Sequence, residues 1–379
     1  MLLVTGAIVP TVLADDALTN ERFKATGRYS IVASGVGLQW TTYGDINLNV
    51  PGSVIAAYLY WAGFDYDYGG DNSVLFNSVP IIADEQFGPD LWYQTWYTYV
   101  YVADVTTEIA SGANTITISG VELANNYGAG IIVVYEDSTL PMAEVTILDG
   151  LDNFWYDWLD PRGPDSEVTC LSFSATSDDR NVEMTLLVGG TEHDDRPNEI
   201  WTQTGMYYPT PENLIDPATQ PIGPYPLVGN NGISWDTYTD DVTVPAGDEW
   251  LCVQIESIDS PGSGPDWEGR GTSAVLIAAG FVLPVEYEML DGLSPGFWKH
   301  NIRVALGDPG RYSVSHEGEP RMDYDTILAL AEDATGETGE DALNAALDAL
   351  TAKGPGSATT RLDMANYLNA AAGYTPYQD

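Results

Sequence analysis

The hydrophobic period of this 379-residue chain changes once, near residue 290. Before that point apolar residues come in short alternating or continuous runs, parted by Gly, Asn, Asp and Pro. After it they recur at i, i+3, i+4 spacing. A period of two belongs to strands and a period of 3.6 to helices, so the chain must build a large β body and a small helical domain.

The strand-like runs are "YSIVASGVGLQW" (29–40), "SVIAAYLYWAG" (53–63), "SVLFNSVPIIA" (73–83), "WYQTWYTYVYV" (92–102), "NTITISGV" (114–121), "AGIIVVYED" (129–137) and "AEVTILDG" (143–150). A second series follows: "EVTCLSFSA", "VEMTLLVGG", "DEWLCVQIESI" and "GTSAVLIAAGFVLPVEYE". With no helical segments between them, such strands favour antiparallel sandwiches or jelly rolls over βαβ units. "DNFWYDWLDPRGPDSE" (152–167), rich in aromatics and turn residues, marks the boundary between two halves. The expected fold is therefore mainly β: two antiparallel β-sandwich or jelly-roll units, 15–151 and 152–290, followed by a small α-helical domain, 291–379.

Residues 2–14 form an apolar run ending in Val12-Leu13-Ala14, which reads as a signal peptide over 1–14 with cleavage before Asp15. Its positive n-region is missing, so the start of translation is expected further upstream. No later run reaches the ~18 apolar residues of a membrane span. The expected product is exported and extracellular, either soluble or held at the cell surface by partners. Cys170 and Cys252 each sit mid-strand, and in an exported chain they permit one disulfide, with two buried free thiols as the alternative. No Asn stands in an N-x-[ST] sequon.

Charge narrows the partners. The formal net charge is −43, and between Tyr29 and Asp160 there are 17 acidic residues and no Lys or Arg. Such a surface repels phosphate backbones and anionic lipid, which excludes nucleic acid as a partner. It suits high salt or hard cations such as Ca²⁺. In "FDYDYGGDN", Asp65, Asp67 and Asp71 stand around Gly69-Gly70 like positions 1, 3 and 7 of a calcium loop, although Phe76 occupies the place of the bidentate Glu. A second candidate metal cluster is Glu192, His193 and Asp194, with Arg196 opposing a cation there. No nucleophile elbow, P-loop or dinucleotide fingerprint is present, and no residue pattern argues for an enzyme.

Two aromatic features remain. The run at 92–102 alternates Trp92, Gln94, Trp96 and Thr98 with Tyr93, Tyr97, Tyr99 and Tyr101 until pairing shifts at a turn or bulge. An exposed face would suit sugar rings or a protein, and the alternative is core on one side with packing against a neighbour on the other. "LSPGFWKH" (293–300) reads as a helix start, with Ser294 as N-cap and Pro295 at N1. On that helix Trp298 is an aromatic anchor, while Lys299, His300 and Arg303 make a basic edge for docking onto acidic surfaces. The arm "LTNERFKATGRYS" (18–30) holds three more cations and is expected to meet the next subunit.

Several stretches taken together, "AAYLYWAGFDY", "VYVADVTTEIASGANTITISG", "YGAGIIVVYEDSTLPMAEVTILDG", "SFSATSDDRNVEMTLLVGG" and "NGISWDTYTDDV", resemble a domain of unknown function in secreted archaeal and bacterial surface proteins, notably from methanogens. The resemblance covers roughly residues 30–285. "LSPGFWKH" resembles a "TPGYWKNH"-like motif opening helical C-terminal modules of exported proteins, departing at Leu293, Ser294, Phe297 and His300-Asn301. The resemblance implies a structural or adhesive surface protein and brings no catalytic residues. The expected function is a subunit of a surface layer, sheath, filament or matrix, binding copies of itself or other surface proteins. The alternative is a calcium-dependent adhesin that binds polysaccharide, and a secreted hydrolase stands third.

Overall fold

A computed structural model describes residues 17–66, 69–159, 162–191, 196–258, 271–285, 295–307, 324–353 and 357–372. The first strands are β1 (Asn20–Gly27), β2 (Tyr29–Gly37), β3 (Tyr43–Val50), β4 (Ser53–Tyr66), β5 (Ser73–Phe76) and β6 (Val79–Ile82). β7 (Glu85–Tyr93), β8 (Trp96–Asp104), β9 (Gly112–Ser119), β10 (Asn125–Glu136) and β11 (Ala143–Trp155) follow. β12 (Thr169–Ser172), β13 (Arg180–Gly189), β14 (Asn198–Gly205), β15 (Trp235–Val244), β16 (Trp250–Ser257) and β17 (Ser273–Pro284) complete the β region. The helices are α1 (Pro295–Ala305), α2 (Tyr324–Thr335), α3 (Glu340–Thr351) and α4 (Ser357–Ala371). The chain is thus mainly β, with antiparallel sheets and a few C-terminal helices, and it divides into compact units at 1–285 and 286–379.

Among the described residues four sheets form, with strand orders β3-β9-β5-β6, β2-β10-β4-β8-β7, β1-β11-β17-β13-β15 and β12-β16-β14. Three buried cores alternate with them. Ile46, Leu48, Ile116 and Ile118 meet Leu59, Trp61, Tyr99, Tyr101, Ile131 and Val133 in the first core. Tyr60, Val100, Val102, Ile132 and Val134 face Val145, Ile147, Leu187, Val275 and Ile277 in the middle one. Val182, Met184, Leu186, Leu276 and Phe281 face Leu171, Ile200, Leu251, Val253 and Ile255 in the third. Successive residues of β4 therefore serve different cores, Leu59 and Trp61 one, Tyr60 and Ala62 the other. This is the reason β4, β10 and β17 are apolar without alternation: both faces are covered.

The boundary expected at 151/152 falls inside β11, and the sheet containing it joins β1 to strands from the far end of the β region. The arm at 18–30 does not wait for another subunit. β1 pairs with β11 from Asn20↔Asp149 to Gly27↔Ala143, and its cations bond within the chain: Arg22 to Asp149 and Glu85, Lys24 to Glu144, Arg28 to the Leu140 carbonyl. The run at 73–83 is also two strands rather than one. Asn77 and Ser78 take φ of 50° and 67°, the left-handed pair of a two-residue hairpin.

Close packing across the middle core rests on two glycines. The indole of fully buried Trp235 lies so near Gly35 and Gly130 that a Cβ would meet it at 2.3 Å and 2.7 Å. Only a residue without a side chain fits there.

In the helical unit, Phe297, Trp298 and Ile302 of α1 pack with Ile327, Ala331, Ala342, Leu343, Ala346, Leu350, Ala365 and Leu368. The Trp298 indole N–H donates to Asn369 Oδ1 at 2.9 Å, and the ring is completely buried. Trp298 is therefore a core residue and is not available for docking, which corrects that part of the expectation. Burying a ring of this size together with its donor satisfies both the apolar and the polar end of the side chain.

Candidate functional site

The loop after β4 holds the first metal candidates. Asp65 Oδ1 accepts from the Tyr66 N–H at 2.8 Å, and Oδ2 accepts from the Gly70 N–H at 3.0 Å. Asp71 Oδ1 accepts from the Ser73 N–H at 3.2 Å and the Ser73 hydroxyl at 3.0 Å, while Oδ2 accepts from the Glu122 N–H at 2.7 Å. Asx-type bonding of this kind closes turns and ties the 71 and 122 segments together. Asp67, and the second cluster of Glu192, His193 and Asp194, lie outside the described residues. Among the described residues no group of three or more His, Cys, Asp or Glu side chains could hold a metal ion.

Aromatic side chains form a connected strip that starts beside this loop. Tyr66 meets Trp96 edge-on at 5.6 Å, and Phe64 stacks on Trp96 at 4.9 Å. Tyr93 follows at 6.0 Å from Trp96 and 6.5 Å from Trp155, and Trp92 packs on Trp155 and Trp158 at 6.2 Å and 4.8 Å. The Arg162 guanidinium lies 3.6 Å above the Trp158 ring and also pairs with Asp90. Leu91, Tyr93 and Leu159 of this region are exposed, Leu159 to 85%.

The alternation expected over 92–102 is interrupted by a turn at Gln94 (φ 53°). Beyond the turn Tyr99 and Tyr101 are buried, Tyr101 stacking on Trp61 at 5.4 Å and accepting from the Asp71 N–H at 2.9 Å. Within β4 and the 92–102 run, the exposed aromatic surface is therefore confined to Tyr93 at the hairpin tip and Tyr66 at the end of β4.

A cavity of about 430 Å³ opens where the strip begins. Trp40, Phe64, Tyr66, Gln39, Asn125 and Asn126 line it. The Leu38–Thr41 turn, closed by a Thr41 N–H to Leu38 carbonyl bond at 3.1 Å, holds Trp40 at φ 62° and 83% exposed. That backbone region favours glycine, and a bulky side chain there stores strain. Opposite, the β4–β10 register slips between Asn126 and Gly128, and this bulge sets Asn125 and Asn126 beside Phe64 and Gly63. Among the described residues nothing donates to the buried Asn126 Oδ1. Such an acceptor costs about 1–3 kcal/mol until something donates to it. Sequence reasoning missed Trp40 and Asn126, because the bulge and the turn that single them out leave no mark in residue pattern.

Asp149 and Asp165 are two of the carboxylates that the fold withdraws from water. Asp149, fully buried, accepts from Asn20 (2.7 Å), Arg22 (2.7 Å) and the Tyr60 hydroxyl (2.9 Å), which pins neighbouring sheets to each other. Burial pushes the Asp149 carboxyl up against the opposing pull of Arg22, and burial pushes the Tyr60 phenol well up. Asp165 is pushed up to about 6 by burial, with Glu256 adding to the rise and the Ser257 N–H opposing it.

Cys170 and Cys252, directly opposed on β12 and β16, are joined by a disulfide with an S–S distance of 2.05 Å. It spans 82 residues of sequence, for which chain-entropy reasoning gives a contribution of about 4 kcal/mol. On α1, Lys299 is half-buried and Arg303 exposed, while the His300 side chain lies outside the described residues. Among the described residues no helix is long and apolar enough to cross a membrane.

No protein-family profile matches the chain, and no curated protein matches it. Solved structures with some similarity include the ANXUR2 extracellular domain from Arabidopsis thaliana, at 8% identity and a TM-score of 0.24 over 68% of this chain and 89% of that one. The infectious bursal disease virus Gt strain structure is similar at 10% identity and a TM-score of 0.22, covering 72% and 76%. The CBM22-1-CBM22-2 tandem domain of Paenibacillus barcinonensis Xyn10C stands at 10% and 0.19, covering 72% and 99%. Scores this low carry no argument about function.

Proposed function

We propose that this is an exported, cell-surface interaction protein, a subunit of a surface layer, sheath, filament or matrix, related to the methanogen-type surface proteins its sequence resembles. Its β body is read as two β-sandwiches set back to back, sharing the middle core. The observation that carries the reading is the connected aromatic strip from Tyr66 to Trp158, which ends in exposed Leu91, Tyr93 and Leu159 on an otherwise acidic chain. Exposed apolar groups clustered in this way mark contact surfaces. Aromatic anchors carry most of the energy of such contacts. The strongly negative charge keeps the unassembled chain soluble, and screening by salt or Ca²⁺ lets like-charged copies approach. The disulfide between Cys170 and Cys252 suits an oxidising, extracellular setting.

The second reading, an adhesin that binds polysaccharide, draws support from the strip beginning beside the Asp65–Asp71 loop. Electron microscopy and size-exclusion chromatography of residues 15–379, with and without Ca²⁺, separate the two. Ordered assemblies support the first reading. A monomer under all conditions contradicts it.

A further inference from the structure

We propose that the cavity between Trp40, Tyr66 and Asn126 binds a neutral polysaccharide, one pyranose ring lying against Trp40. This deepens the surface-protein reading and rests on it, since the ligand would belong to the same cell's envelope or to its neighbour's.

Three observations converge on this chemistry. The first is shape: a cavity of about 430 Å³ falls within the usual range of small-ligand sites. The second is Trp40 itself. A closed turn holds it in a backbone conformation that costs free energy, yet its ring is 83% exposed and contributes almost nothing to the core. A strained, exposed tryptophan has no folding rationale, and strain of this kind concentrates at ligand sites. The third is polarity. The polar lining consists of the amides Gln39, Asn125 and Asn126 and the hydroxyls of Thr41, Thr42 and Tyr66, and none of the described lining residues is charged.

Gln39 is already committed, its Oε1 accepting from the Ser234 hydroxyl at 2.6 Å. Among the described residues nothing donates to the buried Oδ1 of Asn126, a residue that lines the cavity, so a rotation of this amide would offer a ligand O–H or N–H an acceptor. A pyranose has an apolar C–H face to lie on an indole and equatorial hydroxyls to donate sideways, which matches an aromatic wall beside an orphaned amide oxygen. Anionic glycans and phosphates are disfavoured, because the neighbouring segments carry Asp65, Asp71 and Glu122.

The test uses the mature chain and immobilised cellulose, chitin and mannan, with polygalacturonate and a proline-rich peptide as comparators. The expected result is retention on one or more neutral polysaccharides, at least tenfold weaker retention for Asn126→Leu, and loss of retention for Trp40→Gly. Trp40→Gly relaxes the left-handed turn, so its melting temperature should hold or rise while binding disappears, a combination that misfolding cannot produce. Retention of neutral polysaccharide undiminished in Trp40→Gly would overturn the proposal. So would retention on none of the three, or preference for polygalacturonate or the peptide. Assembly seen by electron microscopy is an independent readout: a chain that assembles but binds no glycan sinks this inference alone.

Discussion

At Asp165 burial works against charge. The carboxyl rises from its ordinary 3.8 to about 6 because it is partly withdrawn from water, with Glu256 near it. Below pH 3.8 it is protonated in both folded and unfolded chains; between 3.8 and about 6 only the folded chain keeps the proton. Its contribution to stability therefore falls as pH rises through that window and is flat above it. Asp165→Asn should remove this slope and raise stability at pH 7 by about 1–2 kcal/mol, after discounting for residual solvent screening. The amide oxygen can still accept from the Ser257 N–H, now 3.0 Å away. Thermal melts of both proteins from pH 4 to 7 check this; parallel curves would refute it. None of this was legible from the residues around Asp165, because burial is set by β16 some 90 positions later. The roles of Asp65 and Asp71 in turn closure follow from local Asx chemistry, and the same spacing also fits a calcium loop.

Elements with both faces buried announce themselves. β4, β10 and β17 are long apolar runs, and the sequence marked each within a few residues of its observed ends. β14 and β15, reading "NEIWTQTG" and "WDTYTDDVTV", mix polar and apolar residues and escaped notice. Turn chemistry was the other gap. Asn77-Ser78 carries no glycine, yet both residues adopt φ above zero and split one expected strand into β5 and β6. Ser78→Gly should accordingly stabilise the β unit by about 0.5–1 kcal/mol, because glycine takes that conformation without steric cost. Urea denaturation is the check, and a lower midpoint for the variant would contradict the hairpin geometry. The helical segment was readable because its period, its Pro295 start and the apolar faces of α1 and α3 agree, whereas the burial of Trp298 required knowing that α4 brings Asn369 to it.

Over the whole molecule, the order of the sheets was not legible. The pairing of β1 with β11 links residues more than a hundred positions apart, and no local pattern reports it. Charge is the property that sequence gives completely at this scale. With a net −43, self-repulsion opposes the compact state. Like charges even face each other across strands, Glu183 against Asp241 and Glu199 against Glu256. Raising NaCl from 20 mM to 1 M should lift the melting temperature by roughly 5 °C or more by screening these pairs; an unchanged or lower value would mean that the repulsion is already neutralised. The central claim is contact through the aromatic strip, and sedimentation velocity at high salt tests it most directly. Residues 15–379 should sediment as assemblies, and the double variant Tyr93→Ala, Leu159→Ser should sediment as a monomer with an unaltered melting temperature. Assemblies of equal size from both proteins, or monomers from both, would contradict the account.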